Sequence, residues 1–380
     1  MNAADARAVA SPVVPPWPRR FGERLTRSLR SPEIAQSKGA ERIRRGLAAV
    51  FAAYGLLLST SAVADGGIPA WPHLVMILLA AAVFSGRGGA FVRDWVPVIL
   101  GFLAYTQATQ VVERLHLGVH YLPQIEADRL LGFGTLPTQW LQERLYSGRT
   151  GALEVAALIA YASHFFVPLG VAFYMWWARG RASFNNLIFA LLTVSVLAEV
   201  TYVLAPTAPP WLAAQDGHLP HVHQILKQAL ADVHLHGAAA LKGDPDAYNI
   251  VAAVPSLHIA WPVIGLLAIR RYGLPRWVGV VQASQLVAVF LAIVYTGEHY
   301  VVDAFAGVLY ACVAWRLVSS FRVPGAPRVP RRLRAAGAEH GQVLFEYAAI
   351  VSVVSIAAVA VLSVIGDFVN VSLTDVVNGF

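Results

Sequence analysis

Charge is what this sequence has least of. Only 13% of its 380 residues are Asp, Glu, Lys or Arg, whereas a soluble domain carries about 25%. So few charged side chains cannot cover a water-facing surface, which excludes an ordinary soluble fold. Cysteine is scarcer still: the single one, Cys312, lies inside an apolar run. No intrachain disulfide is available, and Cys312 reads as a small packing residue. What is abundant is apolar: 57% of the chain is hydrophobic, with a mean hydropathy of +0.57. These residues gather in blocks about 20 long, the length that crosses about 30 Å of hydrocarbon at about 1.5 Å per residue.

The blocks predict an all-α, polytopic membrane bundle of nine spans, at 46–64, 69–85, 95–112, 152–178, 184–205, 255–272, 276–295, 299–319 and 347–366. Five units follow. Residues 1–45, rich in proline and arginine, read as a disordered cytoplasmic tail; the apolar stretch starts too late for a signal peptide. Two N-terminal spans occupy 46–94, a catalytic unit 95–320, a basic linker 321–340 and a last membrane segment 341–380.

The formal net charge is +7, and its distribution decides its meaning. With the N-terminus inside, the tail, the short loops at 86–94, 178–183 and 270–276, and the 316–340 connector hold 23 of the 29 Lys and Arg. The six others fall in two long outer segments that carry at least as many acids. This is the positive-inside pattern of a plasma (inner) membrane protein. Anionic inner-leaflet lipid accounts for the basic charge, and nucleic acid is not an expected partner.

Both outer segments exceed ordinary connectors. In the first, Leu130, Leu131, Trp140, Leu141 and Leu145 alternate with charged residues around Pro137, a pattern that predicts interfacial helices able to form a lid or wall. The second, 206–253, begins with Pro206-Thr-Ala-Pro-Pro-Trp211.

Chemistry concentrates at two span openings. Val254-Pro255-Ser256-Leu257-His258 places a proline in a first helical turn, with His258 in that turn. The positive end of that helix faces outward, where its amides suit a phosphate. Gly297-Glu-His299-Tyr-Val-Val-Asp303 predicts His299 and Asp303 at i and i+4 on one helical face. Both helices enter from outside, so two distant histidines meet at one depth. A carboxylate-oriented imidazole is a nucleophile fit for phosphorus, and a second imidazole can protonate the leaving oxygen. His299 is thus the expected nucleophile, Asp303 its orienting group and His258 the general acid and base. The alternative is that all three are polar residues at span ends, bonded to backbone or lipid head groups.

These two motifs resemble those of the type 2 phosphatidic acid phosphatase superfamily. The Pro206 to Trp211 run, the leucine before His258 and the His-Tyr-x-Val-Asp form resemble its inositol phosphorylceramide synthase branch over roughly 95–320. The resemblance implies a six-helix catalytic core, metal-independent phosphoryl transfer without a cofactor, lipid phosphates or phospholipids as substrates, and a polar alcohol or water as acceptor. Two departures stand out. Ala292 and Ile293 occupy the places of the superfamily's Ser-Arg pair, and its earlier lysine and arginine motif is not evident. Pro255, Ser256, Arg129 and Lys242 are therefore the candidates for holding the phosphate, although both cations also fit a solvated outer surface. The missing clamp favours a transferase over a phosphatase.

Several residues stay open on sequence alone. His164 suits either packing or approach to the site, and Glu199 either a neutral hydrogen-bonded acid or a functional one. His218, His221, His223, His234 and His236 match no standard zinc spacing. Finally, Gly341-Gln-Val-Leu-Phe-Glu346-Tyr347 before an apolar run resembles the processing region of Flp-type pilins. That implies a pilin-derived appendage and leaves a non-enzymatic pilus or secretion assembly component as the rival function.

Overall fold

The computed structural model describes residues 38–64, 71–113, 118–235 and 250–320. These fold into twelve helices, and no strand occurs among them. In chain order they are α1 (Lys38–Ala64), α2 (Trp71–Phe84), α3 (Gly88–Glu113), α4 (Leu122–Leu131), α5 (Pro137–Leu145) and α6 (Ala152–Arg179). Next come α7 (Arg181–Leu204), α8 (Pro210–Gln215), α9 (Ile225–Asp232), α10 (Leu257–Tyr272), α11 (Arg276–Tyr295) and α12 (Val301–Ser320).

Each of the first eight predicted spans falls on a helix; the last, at 347–366, lies outside the described residues, as do the linker and the pilin-like segment. Four helices, α6, α7, α11 and α12, are long and apolar enough to cross a membrane. The chain is therefore a multi-pass membrane protein. At 28 residues, α6 is roughly 42 Å long and overshoots the hydrocarbon layer.

The bundle is assembled around α10, which packs against α6, α7, α11 and α12, while α3 lies against α7. Its main core joins Phe91 and Trp95 of α3, Met175 and Trp176 of α6, Phe184, Leu187 and Ile188 of α7, and Ile264 of α10. Trp95 stacks on Phe91 with ring centroids 5.1 Å apart, and Phe184 also packs on Trp95 at 5.0 Å. Toward the predicted cytoplasmic end, buried Asp94 accepts bonds from Arg93 and from the Trp176 indole (2.9 Å) and forms an ion pair with Arg181 (2.9 Å). A buried carboxylate needs such partners to stay charged.

The two predicted interfacial helices are present as α4 and α5, both opening with proline in the first turn. With α8 and α9 they form a cap over one end of the bundle: α4 lies on α12, α5 on α11 and α9 on α6. Leu130, Trp140 and Leu145 remain exposed, whereas Ile125 and Leu136 join Leu219, Val222 and Tyr300 in a small core between cap and bundle. Backbone bonds His120 N–H to Pro206 O (2.8 Å) and Thr207 N–H to Val251 O (2.7 Å) tie three extended segments together. The Pro206 to Trp211 run is thereby laid beside the chain that leads into α10.

Candidate active site

α10 begins at Leu257 with Ser256 as its N-cap, so His258 stands in the first turn as predicted, whereas Pro255 precedes the cap instead of lying in that turn. α12 begins only at Val301. His299 therefore precedes the helix instead of sharing a helical face with Asp303, a correction to the i, i+4 expectation. Acidic side chains explain the late start, because they take the first amides before the helical ladder does. Asp303 accepts the Tyr300 N–H at 2.8 Å, and Asp128 from α4 accepts those of Val301 and Val302 at 2.9 and 2.8 Å.

The histidine and carboxylate contacts survive this shift. His258 Nδ1 lies 3.1 Å from His299 Nε2, and His299 Nδ1 lies 3.2 Å from Asp303 Oδ2. An ionised carboxylate can only accept. Nδ1 of His299 then carries the proton, Nε2 presents its lone pair, and Nδ1 of His258 donates to it; this tautomer is assigned from the bond network. His299 is 5% exposed and Asp303 fully buried, whereas His258 is only half-buried. A bound group thus meets His258 first and His299 behind it.

Two glycines set the approach of the motifs. A Cβ on Gly307 would lie 2.4 Å from the Ser256 carbonyl oxygen, so only glycine lets α12 pass this close to the N-terminus of α10. The Ser256 N–H donates to the Asp303 carbonyl at 3.1 Å across that contact, and Tyr202 Oη donates to the Pro255 carbonyl at 2.6 Å. At Gly297, φ is +80°, and a Cβ would meet the His223 carbonyl oxygen at 3.1 Å. Its own carbonyl accepts the Trp211 N–H at 3.2 Å, which joins the proline-rich run to the His299 turn.

Of the residues expected to hold a phosphate, Pro255 and Ser256 border the pair, but the Ser256 N–H is already committed to Asp303. The Ser256 hydroxyl is buried without a partner, and no side chain caps α10. Arg129 stands exposed in the last turn of α4, and Lys242 lies outside the described residues. Ala292 and Ile293 are buried in apolar clusters, so packing occupies the places of the absent Ser-Arg pair. His164 does approach the site: its ring centroid is 4.5 Å from that of His258 and 5.0 Å from that of Trp261.

Two polar residues escaped notice in the sequence. Burial raises the Asp128 carboxyl to about 6, against the pull of the two amides it accepts. Gln142 of α5 accepts the His223 N–H (2.8 Å) and donates to the carbonyls of His223 (3.1 Å) and Tyr295 (2.9 Å). It thereby pins the cap to the turn bearing His299. Of the outer histidines, His218 stacks on Tyr121 at 4.0 Å, and His236 lies outside the described residues. Burial and the bond to Asp216 together push the Tyr121 phenol up to about 12. Among the described residues, no group of three or more His, Cys, Asp or Glu is placed to hold a metal.

A family model described as the PAP2 superfamily matches residues 124–317, a stretch that holds His258, His299 and Asp303. A phosphoinositol dihydroceramide synthase of Bacteroides thetaiotaomicron is 27% identical over 175 residues, 43% of this chain and 54% of its own length. The chain thus spans about half the length of that relative, in keeping with the synthase-like branch. No solved structure matches the chain.

Proposed function

The chain belongs to the PAP2 superfamily, and from that premise we propose that it is a phosphotransferase acting on lipid phosphates or phospholipid head groups at the extracytoplasmic face of the membrane. One observation carries the proposal: His258, His299 and Asp303 form an unbroken line of contacts at 3.1 and 3.2 Å.

In the proposed reaction the phosphoryl group enters between the two imidazoles and replaces their mutual bond. His299 Nε2 attacks phosphorus, the bond from phosphorus to the donor oxygen breaks, and His258 gives its proton to that oxygen. Asp303 holds the Nδ1 proton and stabilises the charged ring that results. An acceptor hydroxyl then attacks the phosphohistidine, His258 takes its proton, and the N–P bond breaks to restore His299. With a lipid or polyol alcohol as acceptor the outcome is transfer, with water it is hydrolysis. The apolar packing at Ala292 and Ile293 favours transfer, as does similarity to a protein named a phosphoinositol dihydroceramide synthase.

Purified protein in micelles, given phosphatidylinositol labelled in its head group with and without dihydroceramide, tests this directly. Dihydroceramide-dependent movement of the label, absent in His299→Ala and Asp303→Asn, is the expected result. Release of free head-group phosphate alone would make the protein a phosphatase. Identical product from wild type and His299→Ala would refute the mechanism and leave the assembly-component alternative.

A further inference from the structure

We propose that His164 is a third histidine of the site, a ligand that takes a phosphoryl oxygen through Nδ1; the proposal rests on the phosphotransfer reading above. Three observations converge on it. His164 is 4% exposed, yet its Nδ1 is buried without a hydrogen-bond partner. An unsatisfied buried nitrogen costs free energy, and native structures keep few of them without a functional reason.

Position supplies the second. His164 and Tyr161 lie one turn apart on α6, and both rings flank His258, with centroids 4.5 and 4.7 Å away. His164 and His299 thus both border the His258 ring, at 4.5 and 5.2 Å between centroids, and His299 leads on to Asp303. Trp261 backs His164 on the other side, its indole fixed by a 3.1 Å bond to Ser195 Oγ. A ring held this firmly has little rotamer entropy left to lose when a ligand binds.

Chemistry supplies the third. Ser256 Oγ, two residues from His258, and Asp303 Oδ1 of the carboxylate behind His299 are also buried and unpartnered, so the site itself holds polar atoms that a ligand can satisfy. Apolar Ala292 and Ile293 stand where a cationic clamp would be expected. A phosphoryl group brings several acceptor oxygens, and a neutral imidazole has one N–H to give.

Two substitutions separate this role from packing. His164→Phe keeps an aromatic ring against Trp261 and removes the nitrogen; His164→Asn removes the ring and leaves an amide nitrogen at a comparable reach. As an oxygen ligand, His164 requires the Phe variant to lose about tenfold to a hundredfold in kcat/KM and in vanadate affinity, with an unchanged thermal midpoint. The Asn variant then recovers part of both. As a packing residue it would show the reverse order, Phe near wild type and Asn impaired, and that order would overturn the proposal. Vanadate binding is read by spectroscopy without turnover. Wild-type turnover and vanadate binding matched by His164→Phe would remove only the His164 assignment. A wild type that neither turns over nor binds vanadate would overturn the reading beneath it as well.

Discussion

Replacing Asp128 by asparagine should separate stability from activity. The carboxylate is fully buried and accepts two amides at the start of α12, from Val301 and Val302. Burial outweighs those bonds and lifts its pKa from 3.8 to about 6. The folded-state value lies above the unfolded one, so this group's contribution to stability is fully present below pH 3.8 and is lost as pH rises through about 6. At pH 7 the folded protein therefore bears the cost of an ionised, buried acid, up to about 3 kcal/mol for a shift of about two units and less after solvent screening near the interface.

Asparagine removes that cost but offers one acceptor where there were two, and turns its amide toward an N–H. The lost charge-assisted bond is worth about 1.5–3 kcal/mol, or about tenfold to a hundredfold if expressed in the positioning of His299 and Asp303. Asp128→Asn should thus melt no lower than wild type in micelles at pH 7 while turning over at least about tenfold more slowly. Wild-type turnover should fall as pH drops through about 6, where Asp128 takes up its proton, and the variant should lack that inflection. Full activity in Asp128→Asn, or loss of activity only in step with unfolding, would refute the positioning role.

Other outcomes follow from single contacts. Gly307→Ala should lower both melting temperature and turnover, because the new methyl falls 2.4 Å from a backbone oxygen that cannot rotate away; overpacking of this kind costs about 1–3 kcal/mol. Gln142→Leu removes three bonds at about 1 kcal/mol each, so deuterium exchange at the His223 amide should accelerate while α6 stays protected. For topology, His218→Cys in a Cys312→Ser background should react with a membrane-impermeant maleimide in intact cells. Labelling only after lysis would reverse the assigned orientation.

The bundle was legible because lipid imposes its rule on every span: a helix must satisfy its own backbone and present apolar side chains outward. Block length and arginine placement sufficed to locate eight of the helices, and the apolar residues interspersed with charges around Pro137 marked the interfacial pair. The histidine pair was legible because two motifs shared a sidedness. Asp128 was not, since a cap that reaches across 173 residues of sequence to Val301 leaves no periodic trace. Nor was the late start of α12, where side-chain acceptors competed with the helix for its first amides. Gln142 looked like one more polar residue of an interfacial helix, and only the fold shows it clamping Tyr295. Arg129 was chosen for its charge, but the structure turns its neighbour Asp128 inward and leaves the arginine exposed.

The most direct test of His299 as nucleophile is to trap the intermediate. Wild-type protein is mixed with phospholipid carrying labelled phosphorus, quenched in alkali, digested and analysed by mass spectrometry. Acid-labile, alkali-stable label on the peptide containing His299, absent from His299→Ala, is the expected result. Turnover without label on that peptide, together with undiminished product from His299→Ala, would contradict it.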